Sequence, residues 1–132
     1  MLRVVLDTNI LVSGLLAPSS IPARILYAFK ERLFTCFYTH AIIFEYADVL
    51  SRPKFRFVAE EVQSVIGDIK SLGCFIDYSP SIHPMPDEDD RVFYDVAKAA
   101  NAYLVTGNAK HYPNEPFILS PVEFCGQFIE KM

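Results

Sequence analysis

A chain of 132 residues suits one compact domain, expected over 1–132, and a hydrophobic share of 52% against 21% charged excludes disorder, which needs the opposite balance. Twelve Lys and Arg against sixteen Asp and Glu leave a net charge of −4, which argues against a simple electrostatic nucleic-acid binder. The apolar runs fall far short of the roughly 20 residues of a membrane span, and the opening MLRVVLD meets an acid too early for a signal peptide; with Cys36, Cys74 and Cys125 scattered and without CxxC spacing, a reducing, cytoplasmic setting is expected.

Taken in order, Arg3–Leu6 reads as a strand: Val4-Val5-Leu6 is short, rich in β-branching and stopped by an acid. Helices follow at 9–16 and 22–31, the second with Pro22 in its first turn. Phe34–Tyr38 is the next strand. Helices at 40–51 and 58–71 come after it, closed by Pro53 and Gly73. Cys74–Tyr78 is a third strand, and Tyr78–Pro86, with three of the nine prolines, is a stiff irregular connection. A helix over 87–101, strands at Tyr103–Thr106 and Phe117–Leu119, and a helix over 121–130 complete the chain. The strands are almost continuously apolar, as strands covered on both faces must be. Alternation of such strands with amphipathic helices predicts an α/β fold around a parallel sheet of about five strands.

The acids fall where such a sheet places its chemistry. Asp7 stands at the carboxyl end of the first strand, where ligand sites of open parallel sheets lie; the competing reading makes Asp7 or Thr8 a plain helix cap. Glu45 sits on its helix within roughly 60° of both Ile42 and Val49, so the carboxylate lies beside residues that face the sheet. A buried carboxylate is costly unless paired or bound to metal, and the alternative is a Glu at the stripe's edge reaching water. The run Asp87-Glu88-Asp89-Asp90 opens a helix whose apolar face is Phe93, Val96, Ala97 and Ala100. Asp90 leans to the core side, about 60° from Phe93, while Asp95 at about 200° is expected on the solvated outer face. Asn108 follows the fourth strand and is either a turn former or a weak oxygen ligand. Three carboxylates converging without histidine or thiolate would select Mg2+ or Mn2+, and such a pocket suits hydrolysis of a phosphodiester.

VVLDTNILVSGLL, IIFEYADVLSRPKF and DEDDRVFYDVAKAANAYLVTGNAKHYP, in this order and spacing, make the chain resemble a PIN-domain ribonuclease of the small bacterial VapC-like toxin type. The likeness spans essentially the whole length. It implies a three-layer α/β/α sandwich and a metal-dependent cut in RNA, with Asp7, Glu45 and Asp90 as metal-site acids. Asn9 would support the site beside Asp7, and Thr106 with Asn108 would stand at a Thr-x-Asp pattern. Asn108 departs from it by keeping an oxygen but losing a charge, which puts a second metal in doubt. The resemblance further implies a homodimer and an antitoxin partner, and eighteen aromatics in so short a chain suit a partner surface. Lys110 and His111, together with Arg52, Lys54 and Arg56, are candidate contacts for substrate phosphates, although the last three read equally as an exposed helix-end cluster. Two rivals stand beside this reading: a phospho-accepting receiver, which would need an acid pair after strand one, and a PIN-like module that binds RNA or protein without cutting.

Overall fold

A computed structural model describes residues 1–130. Five strands form one sheet: β1 (Arg3–Leu6), β2 (Thr35–Tyr38), β3 (Cys74–Phe75), β4 (Tyr103–Val105) and β5 (Ile118–Leu119). Their order across the sheet is β3-β2-β1-β4-β5, and every pair is parallel. Helices α1 (Thr8–Leu16), α2 (Ile21–Lys30), α3 (His40–Leu50), α4 (Ala59–Leu72), α5 (Arg91–Ala100) and α6 (Pro121–Phe124) cover its two faces. This is the parallel sheet that the strand pattern predicts, in the α/β/α sandwich that the family resemblance implies. Val4, Val5, Leu6, Leu104 and Val105 are completely buried, because β1 and β4 lie at the centre with helices on both sides.

Several boundaries differ from the sequence reading. The third strand stops at Phe75 rather than Tyr78. It is an edge strand, and after the bond from Ile76 N–H to the Tyr38 carbonyl the chain turns into the proline-rich connection. The helix expected from residue 87 begins at Arg91, and the acids form a tight 3-10 turn before it, Glu88–Asp90. The Asp87 carboxylate causes this by accepting the Asp89 N–H at 3.0 Å, a local bond that competes with α-helix. The last helix is α only to Phe124 and continues as a π-helical stretch, Cys125–Ile129.

Asp95 is the clearest correction. It is buried rather than solvated, since the 78–86 connection folds over the outer face of α5. Its two oxygens accept the Ser81 N–H at 2.9 Å and the Ser81 hydroxyl at 2.6 Å. Arg91 holds the same connection, donating to the carbonyls of Ser81 and His83 at 2.8 and 2.7 Å.

Gly73 caps α4 where the chain passes close beneath β2. A Cβ there would press on the Ile69 carbonyl oxygen and stand 2.7 Å from that of Cys36, both backbone atoms unable to move aside. Gly73→Ala is therefore expected to cost about 1–3 kcal/mol as an overpacking change, measurable by urea denaturation. A variant as stable as the parent would show that the α4–β3 turn yields freely.

Candidate metal centre

The sheet order puts a reversal between β1 and β4: β2 and β3 extend to one side of β1, β4 and β5 to the other. In open parallel sheets this is where a crevice opens beyond the carboxyl ends of the strands. Asp7 directly follows β1 and Thr106 directly follows β4, so the two residues face each other across that crevice.

Asp7 occupies the N-cap position of α1 but its side chain makes no capping bond, which removes the plain-cap reading. Instead its Oδ2 accepts the Thr106 hydroxyl and the Tyr112 hydroxyl, each at 2.8 Å. Its Oδ1 has no hydrogen-bond partner among the described residues, although Asp7 is only 6% exposed. A buried carboxylate with one oxygen anchored and the other left open is what a cation ligand requires. The adjacent Thr8 hydroxyl is the one buried side-chain polar atom without a partner among the described residues, an orphan that a bound water or ion at the site would satisfy.

Asn9 ties the two strand ends together. Its amide donates to the Thr106 hydroxyl at 3.4 Å, and its Oδ1 accepts the Gly107 N–H at 3.0 Å. Thr106 is fully buried and also accepts the Asn108 N–H at 3.0 Å. The Asn108 side chain is exposed, and no hydrogen bond to it occurs among the described residues.

Glu45, half-buried on α3, feels the same field. Burial lifts its carboxyl above the ordinary range, the charges of Asp48, Asp89 and Asp7 push the same way, and Arg52 opposes them. Asp90 ends the acidic turn. Burial pushes its carboxyl up to about 6, the charges of Asp7 and Asp87 add to this, and His111 draws it back. Asp7, Glu45 and Asp90 thus come from the end of β1, from α3 and from the turn before α5, and Asp7 acts on both of the others.

The sequence reading missed two participants. Tyr112 is buried, and burial with the charges of Asp7 and Asp90 raises its phenol far above the ordinary range, so it stays a hydrogen-bond donor to Asp7. Asp87 was read only as part of an acidic run, whereas its carboxylate joins those of Asp90 and the His111 ring, with one donor atom of each within 4.8 Å of the others. An aromatic directly after the His111 candidate was the available signal for Tyr112.

Among the candidate phosphate contacts, Lys110 is exposed in the turn Ala109–His111. Arg52 pairs with Asp48 at 3.4 Å, the Lys54 ammonium lies 5.1 Å from the centre of the Phe55 ring, and Arg56 is exposed in a left-handed turn. A cleft of about 520 Å³, bordered by Lys98, Tyr103 and Phe117, lies at the amino end of β4, away from the acids.

The strand order also disposes of the receiver alternative. Receivers of the flavodoxin-like type run 2-1-3-4-5, with the third strand inside the sheet. Here β3 is an edge, and the Asp77 that follows it is exposed.

A PIN-domain family model matches residues 3–110, most of the chain. The chain belongs to the PIN domain family. PIN domains are in general metal-dependent nucleases, and the hard oxygen donors assembled here fit a divalent cation. This PIN domain is also similar to an uncharacterized protein of Methanocaldococcus jannaschii, 28% identical over 110 residues that cover 81% of this chain and 71% of the relative. No solved structure matches the chain. Among the described residues, no single helix is long and apolar enough to cross a membrane.

The raised Asp90 carboxyl gives the PIN domain a testable pH response. Its ordinary value is 3.8 and its folded value about 6, so the folded state holds more protons in between. Asp90 is therefore expected to lower the stability of metal-free protein as pH rises from about 4 to about 6. With Mn2+ present the trend should reverse, because a ligand must give up its proton. Melting curves of wild type and Asp90→Asn across this range, with chelator and with Mn2+, read the difference. A wild type that gains on the variant through this window in chelator would contradict the assignment.

Proposed function

We propose that this PIN domain is a Mg2+- or Mn2+-dependent endoribonuclease, acting as the toxin of a toxin–antitoxin pair in the cytoplasm. The observation that carries the nuclease reading is Asp7, buried, released from its capping role and anchored through one oxygen only. Asp7, Glu45 and Asp90 would hold the cation, with Asn108 on the rim. A cation bound there supplies Lewis acidity and lowers the pKa of water at neutral pH. Thr106 and Tyr112 fix the orientation of Asp7, while Asn9 locks the β1 and β4 ends at a constant separation. Lys110, His111, Arg52, Lys54 and Arg56 would supply the site's contacts to substrate phosphates. A homodimer and an antitoxin that covers the acids complete the proposal; the exposed Tyr27, Phe44 and Val122 side chains provide apolar surface for such partners.

The test is cleavage of a mixed single-stranded RNA pool with Mn2+, comparing wild type and Asp7→Asn purified identically. Cutting by wild type alone, abolished by EDTA, is the expected result; equal cutting by both would sink the assignment. The exposed Asn108, where the family resemblance places an acid, favours a second reading: a PIN domain that binds RNA or protein without cutting it. That reading expects no thermal stabilisation by millimolar Mn2+, whereas the nuclease reading expects a gain that Asp7→Asn removes.

A further inference from the structure

Residues three and four apart share a helix face, so Phe44, Ala47 and Asp48 stand together on the outer side of α3, continued by Ser51 and Arg52 just past its end. The small Ala47 and Ser51 leave an open groove of about 480 Å³ between Phe44 at one end and Arg52 with Pro53 at the other. Phe44 is 72% exposed and is the chain neighbour of Glu45.

The groove runs into a segment in which cations and rings alternate, Arg52-Pro53-Lys54-Phe55-Arg56-Phe57. Pro53–Phe55 forms a 3-10 turn, Arg56 takes a left-handed conformation at φ 57°, and the Phe55 and Phe57 rings stack with centres 5.6 Å apart. Three of the twelve Lys and Arg fall in this short segment, although the whole chain carries −4. Arg52 pairs with Asp48, the one acid on the groove face, and its charge also reaches Glu45, drawing that carboxyl down. Lys54 and Arg56 have no ion-pair partner among the described residues.

An exposed ring beside unpaired cations is what single-stranded nucleic acid uses: a base stacks on the ring and the backbone meets the charges. An apolar protein surface laid here would instead desolvate the cations without pairing them. We infer that the groove from Phe44 to Pro53 is the track for the RNA strand that flanks the cut, with Phe44 stacking an unpaired base and the 52–57 segment holding the strand beyond it. The inference rests on the RNA reading above and deepens it, since a ring that must stack a base selects unpaired over duplex RNA.

A short fluorescent single-stranded RNA, followed by anisotropy in chelator, reads binding with metal-dependent cutting switched off. Phe44→Ala is expected to weaken binding about 5- to 150-fold, the scale of one stacked base, and Phe44→Trp to restore it. An abasic oligonucleotide of the same length should bind wild type and Phe44→Ala alike, a result that a merely structural role for Phe44 would not give. Lys54→Gln combined with Arg56→Gln should flatten the slope of log affinity against log salt by about 1.4, two single-strand phosphates at about 0.7 each. RNA binding indifferent to Phe44 and to both cations overturns the track, and the cleavage test above still decides the nuclease reading. Phe44-dependent binding by a protein that cuts nothing leaves the track standing and sinks the nuclease reading. If Phe44→Ala changes the oligomeric state in light scattering but not the RNA affinity, the groove belongs to a protein partner and the inference is wrong. Absence of RNA binding by wild type at low salt would sink it as well.

Discussion

Asp7→Asn is expected to abolish metal-stimulated RNA cleavage while leaving the metal-free fold as stable as wild type or more so. Asparagine keeps an acceptor for the Thr106 and Tyr112 hydroxyls, so the hydrogen bonds that place residue 7 survive. What disappears is one buried negative charge. Its loss relieves the repulsion that raises Asp90 and Glu45, which favours the empty protein. The same loss removes the proposed ligand with the least access to water, and the fall in Mn2+ affinity should exceed the about 10- to 100-fold typical of an outer-shell partner. Calorimetric titration with Mn2+ and a thermal melt in chelator separate the two effects. A variant that binds Mn2+ like wild type would show that the open oxygen of Asp7 is not a ligand.

The second large effect concerns the residue beside Glu45. Tyr46 is 1% exposed, stacks on Phe93 with ring centres 6.2 Å apart, and donates its hydroxyl to the Leu6 carbonyl at 2.6 Å. Tyr46→Ala would empty a ring-sized space between α3, β1 and α5, at about 3–5 kcal/mol by analogy with other buried aromatics. That is a large share of the about 5–15 kcal/mol available to a domain. Tyr46→Phe keeps the ring and strands only the Leu6 carbonyl, for about 1–3 kcal/mol. Guanidinium unfolding of the pair should show this ordering, and equal losses would mean that the hydrogen bond, not the packing, dominates.

How far the sequence carried these conclusions depended on whether a residue's setting is local. β1 was legible to the residue, because Val4-Val5-Leu6 is apolar on both faces and ends at an acid. The parallel sheet, covered on both faces, followed from the same continuity in the other strands. Asp90 was placed by a helical wheel although it precedes α5; its backbone at φ −95° and ψ −1° leads straight into that helix, so the angular argument still indicated its side. The wheel failed at Asp95 because it reports direction and not what covers a face; Ser81 arrives from fourteen residues away. Tyr112 and the Asp87–His111 approach were beyond reach for the same reason. Each depends on the loop after β4 folding back onto groups 24 (from 87 to 111) and 105 positions earlier in the chain.

The connection between β3 and α5 has one more consequence. Ile82 is 99% exposed between the two points, Ser81 and His83, that Arg91 holds. A backbone cut at Ile82 would sever no strand pairing, because β1, β2 and β3 lie before it and β4 and β5 after it. The two fragments would meet along the β1–β4 ladder, Val4 to Tyr103 through Leu6 to Val105. Asp7 and Glu45 would belong to one fragment, and Asp87, Asp90, Thr106, His111 and Tyr112 to the other. The chain is in effect two half-sites written in sequence, and cation binding by a nicked protein would report on whether its halves have found each other.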